Sequence, residues 1–218
     1  MPTGGTTGMP KCVMHSHNTL LANARDMVRD WGHGPDTVLL SLSPLSHHIA
    51  WVAVAQWLVA GGEIITDDPP AGMARLDWIV ETGATYVLGV PTIWMSMALL
   101  LESNPQKYKL PPGVRMLVGG AAMPESLIRT YAKHGAAVTQ GWGMTEMSPL
   151  GTVSYLKPEL QGLGEDEKFK RAASAGVPVP LVGLRIIGND GAEQPWDGVA
   201  VGEIQVRGPF ITGSYHEV

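Results

Sequence analysis

Three short segments of this chain carry residue types that could do chemistry together. The first is Thr3-Gly4-Gly5-Thr6-Thr7-Gly8-Met9-Pro10-Lys11. Glycines let backbone N–H groups turn toward one anion, hydroxyls add donors, and a lysine adds charge. The segment is not a Walker A loop, because Lys11 does not directly follow Gly8, and it lacks the G-x-G-x-x-G spacing of a dinucleotide fingerprint. The second segment, Gly141-Trp142-Gly143-Met144-Thr145-Glu146, places an aromatic between two glycines ahead of a Thr-x-Glu turn. That setting is unlike the surroundings of an ordinary core tryptophan. The third, Pro44-Leu45-Ser46-His47-His48, offers loop histidines. Cys12-x-x-His15-x-His17 looks superficially like a metal cluster, but zinc sites use four ligands in paired spacing and no second pair follows. Asp67-Asp68 reads as a solvated turn before Pro69.

These segments must be positioned by something, and the pattern between them says by what. Thr37–Ser43 reads as a buried strand and His48–Ala60 as a largely buried helix ended by Gly61-Gly62. Glu63–Thr66, Thr85–Gly89, Val114–Val118 and Ala136–Thr139 read as further strands. Between them lie a helix carrying Met73, Leu76, Ile79 and Val80, one capped by Thr92 with Ile93, Trp94, Met97 and Leu101 on one side, and Pro124–His134. Strict alternation of strand and helix implies an α/β fold, a mostly parallel sheet with helices on both faces. The loops SPLSHH, GVPT, GGAAMP and QGWGMTE follow successive strands. Ligands of open parallel sheets bind at the carboxyl ends of the strands, so these loops are expected to face one crevice.

After about Pro149 the texture changes. Gly183–Ile187 and Gly202–Val206 alternate like half-exposed strands around the turn Asn189-Asp190-Gly191. They imply part of a small β subdomain. Leu160–Lys170, polar and charged, reads as a solvated connecting loop. The expected organisation is therefore a glycine-threonine segment over 1–35, an α/β subdomain over 36–149 and a partial β subdomain over 150–218.

Composition narrows the function classes. Fifteen Lys and Arg against 20 Asp and Glu give net −5, so no basic field advertises nucleic acid. Hydrophobic content of 44% with 16% charged excludes general disorder. One cysteine, Cys12, excludes a disulfide framework and points to a reducing, cytoplasmic setting. The longest apolar run, Ile49 to Ala60, is too short to span a bilayer, which takes about 20 residues. The first residues have neither the apolar core nor the charge order of a signal peptide.

The glycine-threonine segment resembles the phosphate loop of the adenylate-forming (AMP-binding) superfamily, which includes the acyl-CoA synthetases and reads T-S-G-T-T-G-x-P-K-G. Gly4 replaces the serine and Cys12 the glycine after the lysine. Gly141–Glu146 is similar to the family's Y-G-x-T-E loop, with Trp142 for tyrosine, and Gly119-Gly120-Ala121-Ala122-Met123-Pro124 to its G-G-A-x-x-P turn. Gly202-Glu203-Ile204, Arg207-Gly208-Pro209 and Gly213-Ser214-Tyr215 resemble its G-E-I-x-x-R-G-P-x-x-x-x-G-Y stretch. These motifs, in order, span nearly the whole chain.

The resemblance implies roles. Thr3, Thr6, Thr7 and Lys11, with Gly4, Gly5 and Gly8, would hold the β- and γ-phosphates of ATP. Gly119, Gly120 and Ala121 would border the adenine, and Trp142, between Gly141 and Gly143, would stack on it. Thr145, after Met144, would donate to the α-phosphate, and Glu146 would take Mg²⁺. His47 would match the histidine beside the carboxylate site, with His48 leaving the register open by one. The implied reaction is carboxylate attack on the α-phosphorus, giving an acyl-adenylate that coenzyme A then intercepts. The catalytic group would be Lys11, Thr145, Glu146 and His47. No acid lies in Ser41–Ala50 to hold a substrate ammonium, and His47, Ile49, Trp51, Val90, Ile93 and Trp94 suggest an apolar pocket. A fatty or alicyclic acid is expected, most like the substrates of medium-chain or cyclic-acid CoA synthetases. Two other readings stay open: a catalytically incomplete nucleotide-binding fragment, and a domain that loads a carrier protein. The family's C-terminal lid and its lysine have no counterpart before Val218, so the chain is expected to be truncated at both ends, marginally stable and unable to complete acyl-CoA synthesis alone.

Overall fold

Side-chain alternation decides how the centre of the chain is laid out. In β3 (Val38–Ser41), β5 (Tyr86–Gly89) and β6 (Arg115–Val118), Leu39, Tyr86, Leu88 and Leu117 join one buried cluster, while Leu40, Val87, Met116 and Val118 join another. Successive side chains point to opposite faces of a strand, so a strand apolar at every position is buried on both sides. The computed structural model describes residues 2–3 and 9–217. Gly4, Gly5, Thr6, Thr7 and Gly8 lie outside the described residues.

In chain order, β1 (Pro2–Thr3) pairs antiparallel with β2 (Lys11–Cys12), and α1 (His17–Trp31) follows. After β3 come α2 (His48–Ala60), β4 (Glu63–Ile65) and α3 (Arg75–Glu81), then β5, α4 (Pro91–Ser103) and β6. The chain continues through α5 (Glu125–Lys133), β7 (Ala137–Gly143), β8 (Leu150–Val153), α6 (Glu165–Ala172) and β9 (Val177–Pro178). It closes with β10 (Gly183–Ile187) and β11 (Glu203–Arg207), an antiparallel pair. The main sheet runs β4-β3-β5-β6-β7-β8-β9, parallel from β4 to β7 and antiparallel beyond. The fold is thus a mostly parallel sheet covered on both faces, as expected.

α2 supplies Ala53 and Trp57 to one face, with Trp31 of α1 beside them. α3, α4 and α5 supply Leu76, Ile79, Trp94, Met97, Leu101, Ile128 and Tyr131 to the other. A third cluster joins Met27 of α1 to Leu150 and Val153 of β8 and to Val179, Val182 and Phe210. That cluster fastens the β10–β11 unit to the sheet.

Several expectations need correction. α1 was not anticipated; Ser16 caps it by accepting from the Thr19 N–H at 3.1 Å, and Gly32 ends it in the left-handed conformation. Thr92 does not cap α4, because Pro91 occupies the first helical position and Val90 is the cap. Leu160–Lys170 is not simply a loop. Within it α6 begins, with acids in its first turn and bases in its last, the order the helix dipole favours. Phe169 and Ala172 anchor α6 against the core, and Arg129 of α5 bonds Asp166 at 2.8 Å. Nor does the sheet stop at the change of texture near Pro149: β8 and β9 extend it past the boundary expected at 150. Among the described residues no helix is long and apolar enough to cross a membrane.

Candidate functional site

The strand order fixes where a ligand can bind. From β3 the chain crosses to β4 on one side and then to β5 on the other, so the order reverses between β3 and β5. Such a switch point opens a crevice at the carboxyl ends of the strands. β3, β5, β6 and β7 are consecutive neighbours there, so the loops after Ser41, Gly89, Val118 and Gly143 lie side by side.

Two of these loops are pinned together from below. The Gln140 side-chain carbonyl accepts from the Met123 N–H, and its amide donates to the Ala172 carbonyl at 3.0 Å. Gly119, Gly120 and Ala121 thereby stand beside the Gly141–Gly143 end of β7; Gly120 has φ of 86°, and the Gly119 N–H donates to the Gly89 carbonyl at 3.3 Å. Gly143 admits no side chain, since a Cβ there would overlap the Pro149 carbonyl. Trp142 is half-buried, its ring lying over Gly151. Thr145 and Glu146 follow on a single 3-10 turn over Thr145–Met147, with Met144 exposed ahead of them.

That turn is held by residues from both ends of the chain. His15 donates from Nε2 to the Thr145 carbonyl at 2.7 Å. Because a carbonyl only accepts, Nδ1 is left to accept from the Ser148 hydroxyl at 2.9 Å. The His15 ring stacks on His48, with centroids 4.9 Å apart and planes 7° from parallel. Burial lowers the His48 pKa to about 4, so the ring is neutral at pH 7. From the other side, the Thr212 N–H donates to the Glu146 carbonyl at 2.8 Å, and the Thr212 hydroxyl donates to the Met14 carbonyl at 2.7 Å. The Tyr215 hydroxyl donates to Glu146 Oε1 at 2.8 Å, and Lys11 Nζ lies 5.0 Å from the centre of the Tyr215 ring. Lys11, Tyr215 and Glu146 thus form one chain of contacts. Glu146 Oε2 is buried and has no hydrogen-bond partner among the described residues. An orphaned carboxylate oxygen fits a hard divalent cation, which takes oxygen ligands.

The expected acyl-pocket residues divide. Ile49 lines a narrow apolar cleft with Ala53, Trp57, Leu117 and Leu150. Val90 lies 3.5 Å from where a Gly120 Cβ would be, and Ile93 packs against the main cluster. Trp94 is a correction: it is fully buried, against Gly89 and edge-on to Tyr131, and is a core residue. Trp51 is a second, being 50% exposed on α2 and outside the cleft. His47, exposed at the α2 cap, bonds nothing there with its side chain, whereas His48 reaches the Thr145 turn through His15. Gln140, Ser148 and Thr212 were given no role by the sequence, and His15 was weighed only as a metal ligand; the only signal was that each lies in or next to a recognised motif.

Comparison with known proteins agrees with this geometry. A match to the family described as AMP-binding enzyme runs over residues 1–216. A long-chain-fatty-acid–CoA ligase of Thermus thermophilus is 37% identical over 98% of this chain and 40% of its own length. Among solved structures, a long-chain-fatty-acid-CoA ligase from Archaeoglobus fulgidus superposes with a TM-score of 0.82 at 26% identity, over 99% of this chain and 43% of that one. The O-succinylbenzoate coenzyme A synthetase of Bacillus subtilis, in complex with ATP and magnesium ion, gives 0.81 at 25% identity, over 100% and 42%. The chain spans about 40% of the length of the curated relatives it matches. With the strand-end crevice, the neighbouring glycine segments and a family match over residues 1–216 in agreement, the chain belongs to the AMP-binding enzyme family.

Proposed function

We propose that this chain binds ATP across the carboxyl ends of β3, β5, β6 and β7, as part of a cytoplasmic ligase that activates a fatty or alicyclic carboxylic acid. The observation carrying the reading is the convergence of Lys11, Thr145 and Glu146 at those strand ends, with one Glu146 oxygen unpartnered. Thr3, Gly4, Gly5, Thr6, Thr7, Gly8 and Lys11 hold the β- and γ-phosphates. Gly119, Gly120 and Ala121 border the adenine with their backbone, and Trp142 stacks on it. Thr145 donates to the α-phosphate. Magnesium, when held by Glu146, supplies neutralising charge for the phosphate oxygens.

The substrate carboxylate attacks the α-phosphorus, the bond to the β-phosphate oxygen breaks, and pyrophosphate leaves. The residues of this chain contribute positioning and charge: Lys11 draws off negative charge, and backbone N–H groups are aligned beforehand. Coenzyme A thiol then displaces AMP from the acyl-adenylate. Ile49, Val90 and Ile93 receive the acyl chain. Support for an apolar acid comes from the fatty-acid ligases among the relatives and from the apolar lining around Ile49.

Titration with non-hydrolysable acyl-sulfamoyl-adenosine analogues tests the reading. The octanoyl analogue is expected to bind roughly tenfold or more tighter than AMP, a difference of about 1.4 kcal/mol. A phenylalanyl analogue binding better than the octanoyl one would overturn the substrate class. Failure of ATP to bind at all would overturn the nucleotide site.

A further inference from the structure

A carboxylate that must hold a small octahedral cation has two oxygens, and nothing in the side chain itself chooses between them. In Glu146 the choice has been made. Oε1 accepts from the Tyr215 hydroxyl at 2.8 Å, and Oε2 is buried without a partner among the described residues. The phenol is itself fixed from several directions. Tyr215 bridges Val13, the His216 N–H donates to the Cys12 carbonyl at 2.8 Å, and Thr212 ties the same segment to Glu146 and Met14. Its ring lies under Lys11 Nζ at 5.0 Å.

We propose that Tyr215 is a positioning residue for the metal carboxylate: it occupies Oε1 and leaves Oε2 as the single ligand atom offered to a divalent cation. The inference rests on the reading of Glu146 as the magnesium ligand and adds selectivity to it. A charge-assisted hydrogen bond to one oxygen stops rotation of the carboxylate and opposes two-oxygen chelation. Magnesium demands near-ideal octahedral geometry with few protein ligands, whereas calcium readily takes both oxygens of one carboxylate. A carboxylate tied at Oε1 therefore favours the smaller ion. Outer partners of this kind are worth about 10–100-fold in metal affinity.

The test is calorimetric titration of ATP into the protein at graded Mg²⁺ or Ca²⁺, for the parent, Tyr215→Phe and Glu146→Gln. Phenylalanine keeps the ring under Lys11 and the backbone bridge to Val13. Tyr215→Phe should need about tenfold more Mg²⁺ for the same ATP affinity. It should narrow the gap between Mg²⁺ and Ca²⁺ while leaving metal-free ATP affinity and the thermal midpoint at parent values. An unchanged Mg²⁺ midpoint in Tyr215→Phe, with the Mg²⁺ response abolished in Glu146→Gln, overturns the role of Tyr215 and spares the metal carboxylate. A full Mg²⁺ response in Glu146→Gln overturns the metal carboxylate and this inference with it. A lowered thermal midpoint with equal loss of metal-free ATP binding in Tyr215→Phe makes the tyrosine structural, and also overturns the inference.

Discussion

The parallel part of the sheet and the β10–β11 pair are built from similar apolar and β-branched residues, yet they are held in place differently. All four residues of β5 are buried, as are three of four in β3 and β6. No residue of β10 or β11 is fully buried. Trp196, Val199 and Val201, on the connection between them, stand largely in solvent. The pair keeps its place through Val182 and Phe210 at its flanks, packed on Met27, Leu150 and Val153. The sheet is rigid because it is packed on both faces, while the small unit borrows its position at its edges. The site draws on both, since Thr145 and Glu146 follow β7, and Tyr215 follows β11.

The comparison is broken most severely from inside the sheet. Trp94→Ala should cost about 3–5 kcal/mol in urea denaturation, the range for emptying a fully buried aromatic site. Ile204→Ala in β11, half exposed, should stay within about 0.5 kcal/mol. Equal losses at the two positions would mean that the two regions unfold as one packed unit. Trp142→Ala should weaken ATP binding by about 1–3 kcal/mol with the melting curve unchanged, borrowing the scale of base–aromatic stacking; unchanged affinity by calorimetry would remove Trp142 from the nucleotide site.

His15 and His17 give a sharper version within two positions of each other. His15→Ala leaves the Thr145 carbonyl and the Ser148 hydroxyl without the imidazole, and should cost about 1–3 kcal/mol of stability. His17, exposed at the start of α1, should tolerate alanine within about 0.5 kcal/mol. Thermal melts of the pair decide between them.

The smallest effect is one of pH. Burial, with Arg115 adding to it, lowers the His33 pKa to about 4, and burial lowers that of His48 to about 4. An unfolded histidine titrates near 6.5. Between those values the unfolded chain binds more protons, so stability is full above pH 6.5 and falls as pH drops toward 4. At pH 5 the loss should be on the order of 1 kcal/mol per histidine after discounting for solvent screening, read as a lower urea midpoint than at pH 7. A flat profile would show that neither ring is held neutral.

Much of this was legible in the residues. Apolar runs such as Leu39–Leu40 and Val87–Leu88 announce strands buried on both faces, and the bounds of α2 follow from its apolar run and the Gly61-Gly62 stop. α6 was hidden because its helix signal is carried by charge order and one aromatic, Phe169, rather than by an apolar stripe. Trp94 was misassigned because a helix with apolar residues on most sides does not say which side meets a ligand. The role of His15 was hidden for a different reason. Its bonding partners are Thr145 and Ser148, 130 and 133 positions away, and no local pattern encodes such a contact.

That remoteness has a kinetic side. The contact between Thr212 and Met14 joins residues 198 positions apart, while β5 and β6 pair through a single helical crossover. Closing a long loop costs chain entropy before any contact returns it, so short crossovers form first and contacts of this span form late. The sheet should therefore be assembled while Glu146 still lacks Tyr215. In the order of folding events, the contact between Tyr215 and Glu146 should be finished last.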